Sequence, residues 1–524
     1  NSNTGVGFQA LANNTTASSN TGLGYNAGVN ITTGANNTAV GKGSLDACTT
    51  STNNVAVGND AGGGVTTGNG ENVFVGNRAG LGVTTGQQNI IIGDNACANG
   101  TMTGNLNVFI GDNAGLAVTS GANNTIIGGS AGDALTVGNS NTAVGQNALS
   151  LDTQGDLNTA IGIGALQSQN FTSSTDSYNT AVGGFAGGSN TTGQNNTFVG
   201  GLAGNSNTTG DNNTVMGSIA GDALTEGERN VAIGYNSLSD DTKGARNVAI
   251  GDSALGDQNF TSATNSYNTA VGFFAGGTIS TGTGNTLIGG LAGDAITTGG
   301  QNVAIGKEAL GATTTGTSNV AVGIDAGDSI TTGSQNTIIG SGADAHSSET
   351  TGNIVLGYNT IGVQAGDGGT ANIVTIGTAA GNDRIYNEYD ANATWTRVSD
   401  VRYKEEIQDN NDCGLGFIND LRPVTFKWKP KSKIPTTFPD YDETATTRKK
   451  DKKMYGLIAQ EVKASLDKHN ITEFGGWDEM DGGVQTIGQS MFVYPLIKAI
   501  QELSAKNDAL ESSLAALKGE LSHD

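Results

Sequence analysis

The chain has 524 residues, with 83 glycines, 5% aromatic and 14% charged residues. This composition excludes an ordinary globular core, because too few large apolar side chains are present to fill one. The formal net charge is −23, of which −19 falls on residues 1–398 and −4 on residues 399–524. Such an acidic surface repels nucleic acid and anionic lipid, so neither is an expected partner.

Cysteine usage and hydropathy narrow the class of protein further. Cys48, Cys97 and Cys413 are too few and too scattered for a disulfide framework or a zinc site, and we expect buried free thiols. No run approaches 18 apolar residues, so no membrane-spanning helix is predicted. No calcium-type GGxGxD repeat occurs, and we expect no metal or other cofactor. Because the chain begins within a repeat and without an initiator Met, we expect it to be a fragment.

An internal repeat of 17 residues, occasionally 18, fills most of the chain. Its consensus is N-[TV]-[AFI]-[VI]-G-x-x-A-[GL]-x-x-x-T-T-G-x-x. A fixed period of this length is typical of a solenoid, in which one unit cannot bury its apolar side alone. The asparagines that open the units are Asn20, Asn37, Asn54, Asn72, Asn89, Asn107, Asn124, Asn141, Asn158, Asn179, Asn196, Asn213, Asn230, Asn247, Asn268, Asn285, Asn302, Asn319, Asn336 and Asn353.

Each unit predicts one flat coil of a parallel β-roll. The T-A-V or V-A-I run is typical of a short β-branched strand, and the glycine after it permits the positive φ of a tight corner. The second half, ending in T-T-G, predicts another strand and another corner. Aligned Asn and Thr side chains are then expected to form ladders along the stack. At roughly 4.8 Å per coil, the shaft reaches a length on the order of 100 Å.

The strand run also predicts a partner for the shaft. Apolar residues occupy both odd and even places in it, so both of its faces are expected to be covered, yet one coil has only one inside. Another copy of the same chain is the simplest partner that could cover the second face. We expect a trimer for reasons that come from the C-terminal segment described below, and the pattern NVAIG resembles the head repeats of trimeric autotransporter adhesins.

Two units are longer, with 21 residues. Residues 158–178 read NTAIGIGALQSQNFTSSTDSY and residues 247–267 read NVAIGDSALGDQNFTSATNSY, which indicates a duplicated block. We expect the additional residues to bulge outward and to expose four aromatic side chains for receptor binding by stacking on sugar rings, namely Phe171, Tyr178, Phe260 and Tyr267. The alternative is that these aromatics only anchor the insertion.

Residues 399–524 have a different composition and predict a small α+β domain. All five prolines fall here. A heptad pattern with Asn507 at one core position predicts a C-terminal helix that self-associates as a coiled coil. An amphipathic helix packed on its own domain is the alternative. The pattern comprises Leu496, Ile500, Leu503, Asn507, Leu510, Leu514, Leu517 and Leu521.

Four ordered motifs make this domain similar to a known family, the C-terminal intramolecular chaperone of endosialidase-type phage tailspikes and tail fibres. The resemblance implies a domain that trimerises, aligns the preceding fibre and then cuts itself off. It implies a Ser–Lys dyad of Ser399 and Lys404, with the cut between Val398 and Ser399. The motifs are SDVRYKEEI (399–407), LRPVTFKWK (421–429), YGLIAQEV (455–462) and YPLIKAIQEL (494–503).

The chemistry of the dyad fits these residue types. A serine hydroxyl needs a base, and neutral lysine serves as one once burial lowers its pKa from near 10.4, a change worth roughly 4 kcal/mol. A trimer interface provides such burial. Asp400 and Arg402 are candidate supporting residues, and Gln460 and Glu461 belong to a family motif. The Ser-Asp pair also fits a helix N-cap, the structural alternative.

The sequence therefore predicts a mostly β protein with four segments. These are a β-roll or β-helix shaft (1–380), a connector (381–398), a self-cleaving chaperone domain (399–490) and a trimeric coiled-coil helix (491–524). The predicted function is a homotrimeric phage tail fibre or tailspike that attaches to a host glycan or protein receptor, located on the virion. A bacterial surface adhesin, a glycan-degrading spike and an ice-binding protein are the alternatives.

Overall fold

The computed structural model describes residues 2–363, 372–378, 384–388, 396–397, 407–436, 441, 443–447, 453–480 and 483–522. The chain forms two compact units, Asn1–Val398 and Ser399–Asp524. The first unit is a parallel β-solenoid of about 21 turns and the second is a small α+β domain. The mostly β fold class predicted from the sequence is confirmed.

The solenoid stacks one three-residue strand per coil into a single parallel sheet. Parallel register joins equivalent repeat positions, as in Thr38 opposite Val55. The strands are β1 Thr4–Val6, β2 Thr21–Leu23, β3 Thr38–Val40, β4 Val55–Val57, β5 Val73–Val75, β6 Ile90–Ile92, β7 Val108–Ile110, β8 Thr125–Ile127, β9 Thr142–Val144, β11 Thr159–Ile161, β13 Thr180–Val182, β14 Thr197–Val199, β15 Thr214–Met216, β16 Val231–Ile233, β18 Val248–Ile250, β20 Thr269–Val271, β21 Thr286–Ile288, β22 Val303–Ile305, β23 Val320–Val322, β24 Thr337–Ile339 and β25 Ile354–Leu356.

The expected second strand in each coil is wrong for the ordinary 17-residue units. At the T-T-G segment, the amides of Thr32, Thr33 and Gly34 all approach the carbonyl of Thr49, at 3.0, 3.3 and 3.3 Å. Three successive amides that converge on one carbonyl form a turn, because a strand would alternate its hydrogen bonds. Two ordinary units are exceptions among the described residues, because each forms a short second strand that pairs with the 21-residue unit after it: β10 Gly155–Asp156 with β12 Thr175–Asp176, and β17 Gly244–Ala245 with β19 Thr264–Asn265.

Buried asparagines form a continuous ladder along the solenoid, as predicted. The amide N–H of Asn37 donates to Oδ1 of Asn20 at 2.9 Å, and its own Oδ1 accepts from the amide of Asn54 at 3.0 Å. Its Nδ2 donates to the Ser51 carbonyl at 2.9 Å. Each side chain thus satisfies backbone groups of its neighbouring coils, so its burial carries no unpaired polar atom.

The threonines do not form the predicted side-chain ladder, because their hydroxyls bind to the backbone of the next coil. The hydroxyl of Thr32 donates to the backbone carbonyl of Thr49 at 3.1 Å, and that of Thr49 donates to the carbonyl of Thr66 at 3.0 Å. The hydroxyls bind backbone, because the turn at T-T-G brings the next carbonyl closer than the next hydroxyl. They therefore reinforce coil stacking without forming a Thr–Thr chain.

The core of each coil is narrow and holds only a few side chains, and glycines make room for the larger ones. The middle residue of each strand points inward, and Ala39, Ala56 and Phe74 are all fully buried. A Cβ on Gly80 would lie 2.2 Å from the Phe74 ring, so the large ring is accommodated by a glycine in its own coil. The corner glycine also has a steric reason: a Cβ on Gly41, at φ 130°, would lie 2.2 Å from the Gly58 carbonyl oxygen.

The third residue of each strand points outward and is apolar in every coil. We call this set the outer apolar column. In the single chain nine of its 21 members are exposed, for example by 39% at Val57, 41% at Met216 and 42% at Ile339, and the other twelve are half-buried. The column comprises Val6, Leu23, Val40, Val57, Val75, Ile92, Ile110, Ile127, Val144, Ile161, Val182, Val199, Met216, Ile233, Ile250, Val271, Ile288, Ile305, Val322, Ile339 and Leu356.

The sheet changes direction at its end. Strand β26 Ile373–Gly377 continues the parallel stack on β25, and β27 Arg384–Glu388 and β28 Thr396–Arg397 then add antiparallel strands. The second unit contains helices α1 Leu415–Asp420, α2 Ala459–Lys468 and α3 Val493–Glu520 and 3₁₀ turns at Lys431–Lys433 and Gln489–Phe492. Its strands are β29 Val424–Phe426, β30 Met454–Gly456, β31 Trp477–Met480 and β32 Val484–Ile487.

Truncation of a ladder asparagine is expected to loosen several coils. In Asn230→Ala, the carbonyl of Gly244 and the amide of Asn247 lose their buried partner, at a cost of about 2 kcal/mol. Amides of residues 213–263 should then exchange with deuterium roughly 30-fold faster. Thr209→Ala, an exposed truncation nearby, is the control and should leave exchange unchanged. Equal exchange in both variants would contradict a structural role for the ladder.

The last solenoid coils are expected to lose stability as pH rises. Burial, together with the adjacent Asp328 carboxyl, raises the pKa of Asp344 to about 6. The folded state therefore holds this proton more tightly than the unfolded chain, so protonation of Asp344 adds to the free energy of unfolding at low pH. This contribution decreases by up to about 3 kcal/mol as the pH rises from 4 to 7. Hydrogen exchange of residues 337–363 at pH 4 and pH 7 measures this change in stability. In Asp344→Asn the stability of these coils should no longer depend on pH in this range. An unchanged pH dependence in this variant would contradict the attribution to Asp344.

Candidate functional site

The predicted cleavage site lies outside the described residues. This applies to Val398, Ser399, Asp400, Arg402 and Lys404 alike. The described part of the second unit begins at Ile407 and contains the two remaining candidate supporting residues, Gln460 and Glu461. The packing of these described residues shows which surfaces of the second unit are buried and which are exposed.

Gln460 and Glu461 lie in the first turn of α2. Gln460 is exposed, and the carboxylate of Glu461 pairs with the guanidinium of Arg422 through both Nε, at 3.1 Å, and Nη2. The hydrogen bond from Arg422 lowers the pKa of Glu461, and the same contact raises the pKa of Arg422. This pair joins the LRPVTFKWK and YGLIAQEV motifs, which gives Glu461 a structural role.

A small aromatic core holds the second unit together. Phe417 of α1 is buried, stacks on Phe492 at 6.4 Å and meets Phe474 edge-on at 5.7 Å. Val462 and Leu466 of α2 complete the cluster. The core thus joins α1, α2 and the 3₁₀ turn that leads into α3.

Only the beginning of α3 packs on this core. Pro495 and Ala499 are its buried residues, and a carboxylate oxygen of Glu502 accepts the Leu415 amide at 2.8 Å at the start of α1. From Leu503 to Ser522 every residue is exposed. About five helical turns therefore have no partner within the described part of the chain.

The predicted heptad residues form one side of this helix, which we call the α3 stripe. Its apolar members are exposed by 45% at Leu496, 57% at Leu503 and 69% at Leu510. Asn507 interrupts the stripe, and its Nδ2 donates to Oε1 of Glu511 at 3.1 Å. The stripe comprises Leu496, Ile500, Leu503, Asn507, Leu510, Leu514, Leu517 and Leu521.

The sequence analysis did not single out His469, whose ring contacts an aspartate of α1. Its Nε2 lies 2.6 Å from Oδ2 of Asp420, and Nζ of Lys468 lies 2.9 Å from Oδ1 of the same carboxylate. Hydrogen bonds from Lys468 and His469 lower the pKa of Asp420. The cluster ties the end of α2 to α1, 49 residues apart in sequence, and only the fold brings these residues together.

The two 21-residue coils correct the prediction of four exposed aromatics. Phe171 and Phe260 are 5% and 7% exposed, so their side chains do not project outward. A buried aspartate of the preceding coil fixes each segment: Asp241 accepts hydrogen bonds from the Phe260 amide at 3.1 Å, the Gly244 amide at 2.9 Å and Nε2 of Gln258 at 2.6 Å. Asp152 does the same for the first 21-residue coil.

The two tyrosines of these coils are exposed, as expected, by 53% at Tyr178 and 56% at Tyr267. Both lie directly before a ladder asparagine, at a backbone position with positive φ. The hydroxyl of Tyr178 lies 3.4 Å from Oδ2 of Asp176, whereas the guanidinium carbon of Arg246 lies 5.7 Å from the centre of the Tyr267 ring. The sequence analysis did not single out Arg246.

Comparison with known proteins supports the assignment of the second unit. Residues 399–471 match the family model described as "Chaperone of endosialidase". No curated protein and no solved structure matches the chain. The β-solenoid and this domain together fit a tail-fibre-like or spike-like protein.

Two searches of the described residues gave negative results. No helix among them is both long enough and apolar enough to cross a membrane. Within the same residues, no group of three or more His, Cys, Asp or Glu side chains has metal-binding geometry. The three cysteines are free and buried, as predicted.

Proposed function

We propose that the protein is a homotrimeric tail fibre or tailspike shaft, carried on a virion for host attachment. Its C-terminal domain acts as an intramolecular chaperone that trimerises, sets the register of the shaft and releases itself by cleavage between Val398 and Ser399. The observation that carries this proposal is the uncovered α3 stripe. The family match at residues 399–471 supports the chaperone assignment and begins at the predicted nucleophile.

The α3 stripe is best covered by other copies of α3. An isolated helix of about 20 residues is marginal in water, and the residues from Leu503 onward have no packing within the described chain to stabilise them. Apolar side chains spaced 4-3-4-3 match the knobs of a coiled coil, and a polar residue such as Asn507 at a core position specifies register. The number three follows from the family resemblance.

The outer apolar column supports the same stoichiometry for the shaft. An apolar residue occurs at this outward position in every coil, although solvent-facing strand positions normally alternate towards polar residues. A stripe of this length on a soluble chain indicates an interaction surface. Three shafts side by side would cover it with equivalent residues from each copy.

Trimerisation also supplies the chemistry of release. We propose that neutral Lys404 takes the proton of the Ser399 hydroxyl, whose oxygen then adds to the Val398 carbonyl carbon. The bond from this carbon to the Ser399 nitrogen breaks, the nitrogen receives the proton from Lys404, and water hydrolyses the resulting ester. Lysine performs this role only when its pKa falls, and burial between chains achieves that. Cleavage would therefore follow assembly.

Charges placed on the α3 stripe are expected to abolish both assembly and release. The double variant Leu503→Asp with Leu510→Asp should sediment as a monomer and yield at least tenfold less of the fragment 1–398. The matched control, Ala505→Asp with Ser512→Asp, places the same charges on the opposite side of the helix and should remain a cleaved trimer. A cleaved monomer in the first variant would contradict the link between assembly and release.

Substitution of the dyad is expected to stop cleavage while leaving the trimer intact. Ser399→Ala should migrate as one full-length band, and Lys404→Arg should do the same, because arginine keeps the charge but cannot act as a neutral base. Ser432→Ala, at another serine of the domain, should still yield fragments 1–398 and 399–524 on a denaturing gel. Fragments that persist in Ser399→Ala would rule out this nucleophile.

A further inference from the structure

We propose that α3 packs on α3 of a second copy in parallel and without stagger, and that an ion pair between Lys506 of one copy and Glu511 of the other sets this alignment. The inference rests on the proposed function and deepens it, because the family resemblance implies three chains without indicating which charges align their helices. Three features of α3 carry the inference: where the two charges lie, what they contact in the single chain, and what other alignments would do to them.

Lys506 and Glu511 border the α3 stripe on opposite sides. Lys506 directly precedes Asn507, which is an a position of the heptad, and Glu511 directly follows Leu510, which is a d position. These two places are called g and e. In a parallel coiled coil, a g residue faces the e residue that lies five positions later on the neighbouring helix. Lys506 and Glu511 are five positions apart, so opposite charges meet when two copies of α3 lie parallel and unstaggered.

Within one chain the two charges remain apart. Both side chains are exposed, and residues five apart on a helix do not face each other, so Lys506 and Glu511 cannot pair in the same helix. Lys506 makes no ion pair within the described residues, whereas one heptad earlier Nζ of Lys498 lies 3.9 Å from Oε1 of Glu502. Oε1 of Glu511 accepts a hydrogen bond from Nδ2 of Asn507 at 3.1 Å, which holds the carboxylate beside the polar position of the stripe.

A shift of one helix by a heptad would remove this pairing. In one direction Lys506 would face Lys518, which carries the same charge, and in the other direction it would face Ser504, which carries none. Asn507 would then lie against an isoleucine or a leucine of the neighbouring stripe and not against another Asn507. An amide buried in an apolar layer without a partner is costly. The charges and the amide therefore favour the same register.

An antiparallel arrangement would also separate the two charges. In an antiparallel pair, each side of the stripe faces the same side of the neighbouring helix, so Lys506 would face g positions and not Glu511. The one acidic g position of the described helix is Glu520, at its last residue, and pairing with it would leave the stripe from Leu496 to Leu503 uncovered. The parallel and unstaggered arrangement pairs the charges and covers the whole stripe.

Charge reversal tests the pair in the full-length protein, refolded from denaturant and sampled by native mass spectrometry. Lys506→Glu and Glu511→Lys each place like charges at every contact between helices, and each should lower the fraction of chains in trimers at least about threefold. The double variant restores opposite charges and should assemble to within about twofold of the wild type. Asp508→Lys is the matched control, because it makes the same charge change as Glu511→Lys at a position that does not border the stripe, and it should assemble like the wild type.

Three results would overturn the ion pair: unchanged assembly of the two single variants, a double variant that assembles no better than either of them, or an equal loss of assembly in Asp508→Lys. Any of these results, with a wild type that forms trimers, would refute the pair and leave the proposed function standing. A wild type that refolds only to monomers would refute the proposed function itself, and the ion pair with it.

Discussion

The hydrogen-bonded Asn ladder is the interaction on which the rest of the shaft depends. Each coil buries only a few apolar side chains, many of them alanines, so the hydrophobic contribution per coil is small, and the buried amides provide both cohesion and register. The two hydrogen bonds from Asn54 and Asn37 to the Oδ1 of the preceding ladder asparagine repeat along the stack. These hydrogen bonds fix a single register between consecutive coils of the same chain.

The described part of the shaft shows no comparable feature that would fix one chain against another. The outer apolar column presents nearly the same surface in each coil, so a second chain shifted by one coil would bury almost the same area. Register is weakly specified wherever units repeat, and pairing between distant segments is slow and prone to aggregation. In the function proposed above, a domain at the end of the shaft gathers three chains at one defined point and so removes this ambiguity. The α3 stripe, interrupted by Asn507, has the pattern for that task.

Sequence periodicity predicted the solenoid well, since period, corner glycines and ladder asparagines are all local properties of the repeat. The expected second strand was wrong, because three amides at Thr32–Gly34 converge on one carbonyl, a detail that composition does not encode. Phe171 and Phe260 were expected outside, but the hydrogen bonds of Asp152 and Asp241 draw them in. Arg246 contacts the ring of Tyr267 in the next coil, and His469 contacts Asp420 of another helix, so the sequence alone could not identify either interaction. Ser399 and Lys404 stay a prediction from family resemblance.

The central claim is that three chains must associate before any chain is cut. Native mass spectrometry of a refolding reaction, sampled over time from denatured full-length protein, tests it most directly. The account predicts that fragment 1–398 first appears in particles that contain three chains, and that monomers present at the same time are uncut. Cut monomers that precede the first trimers would contradict it.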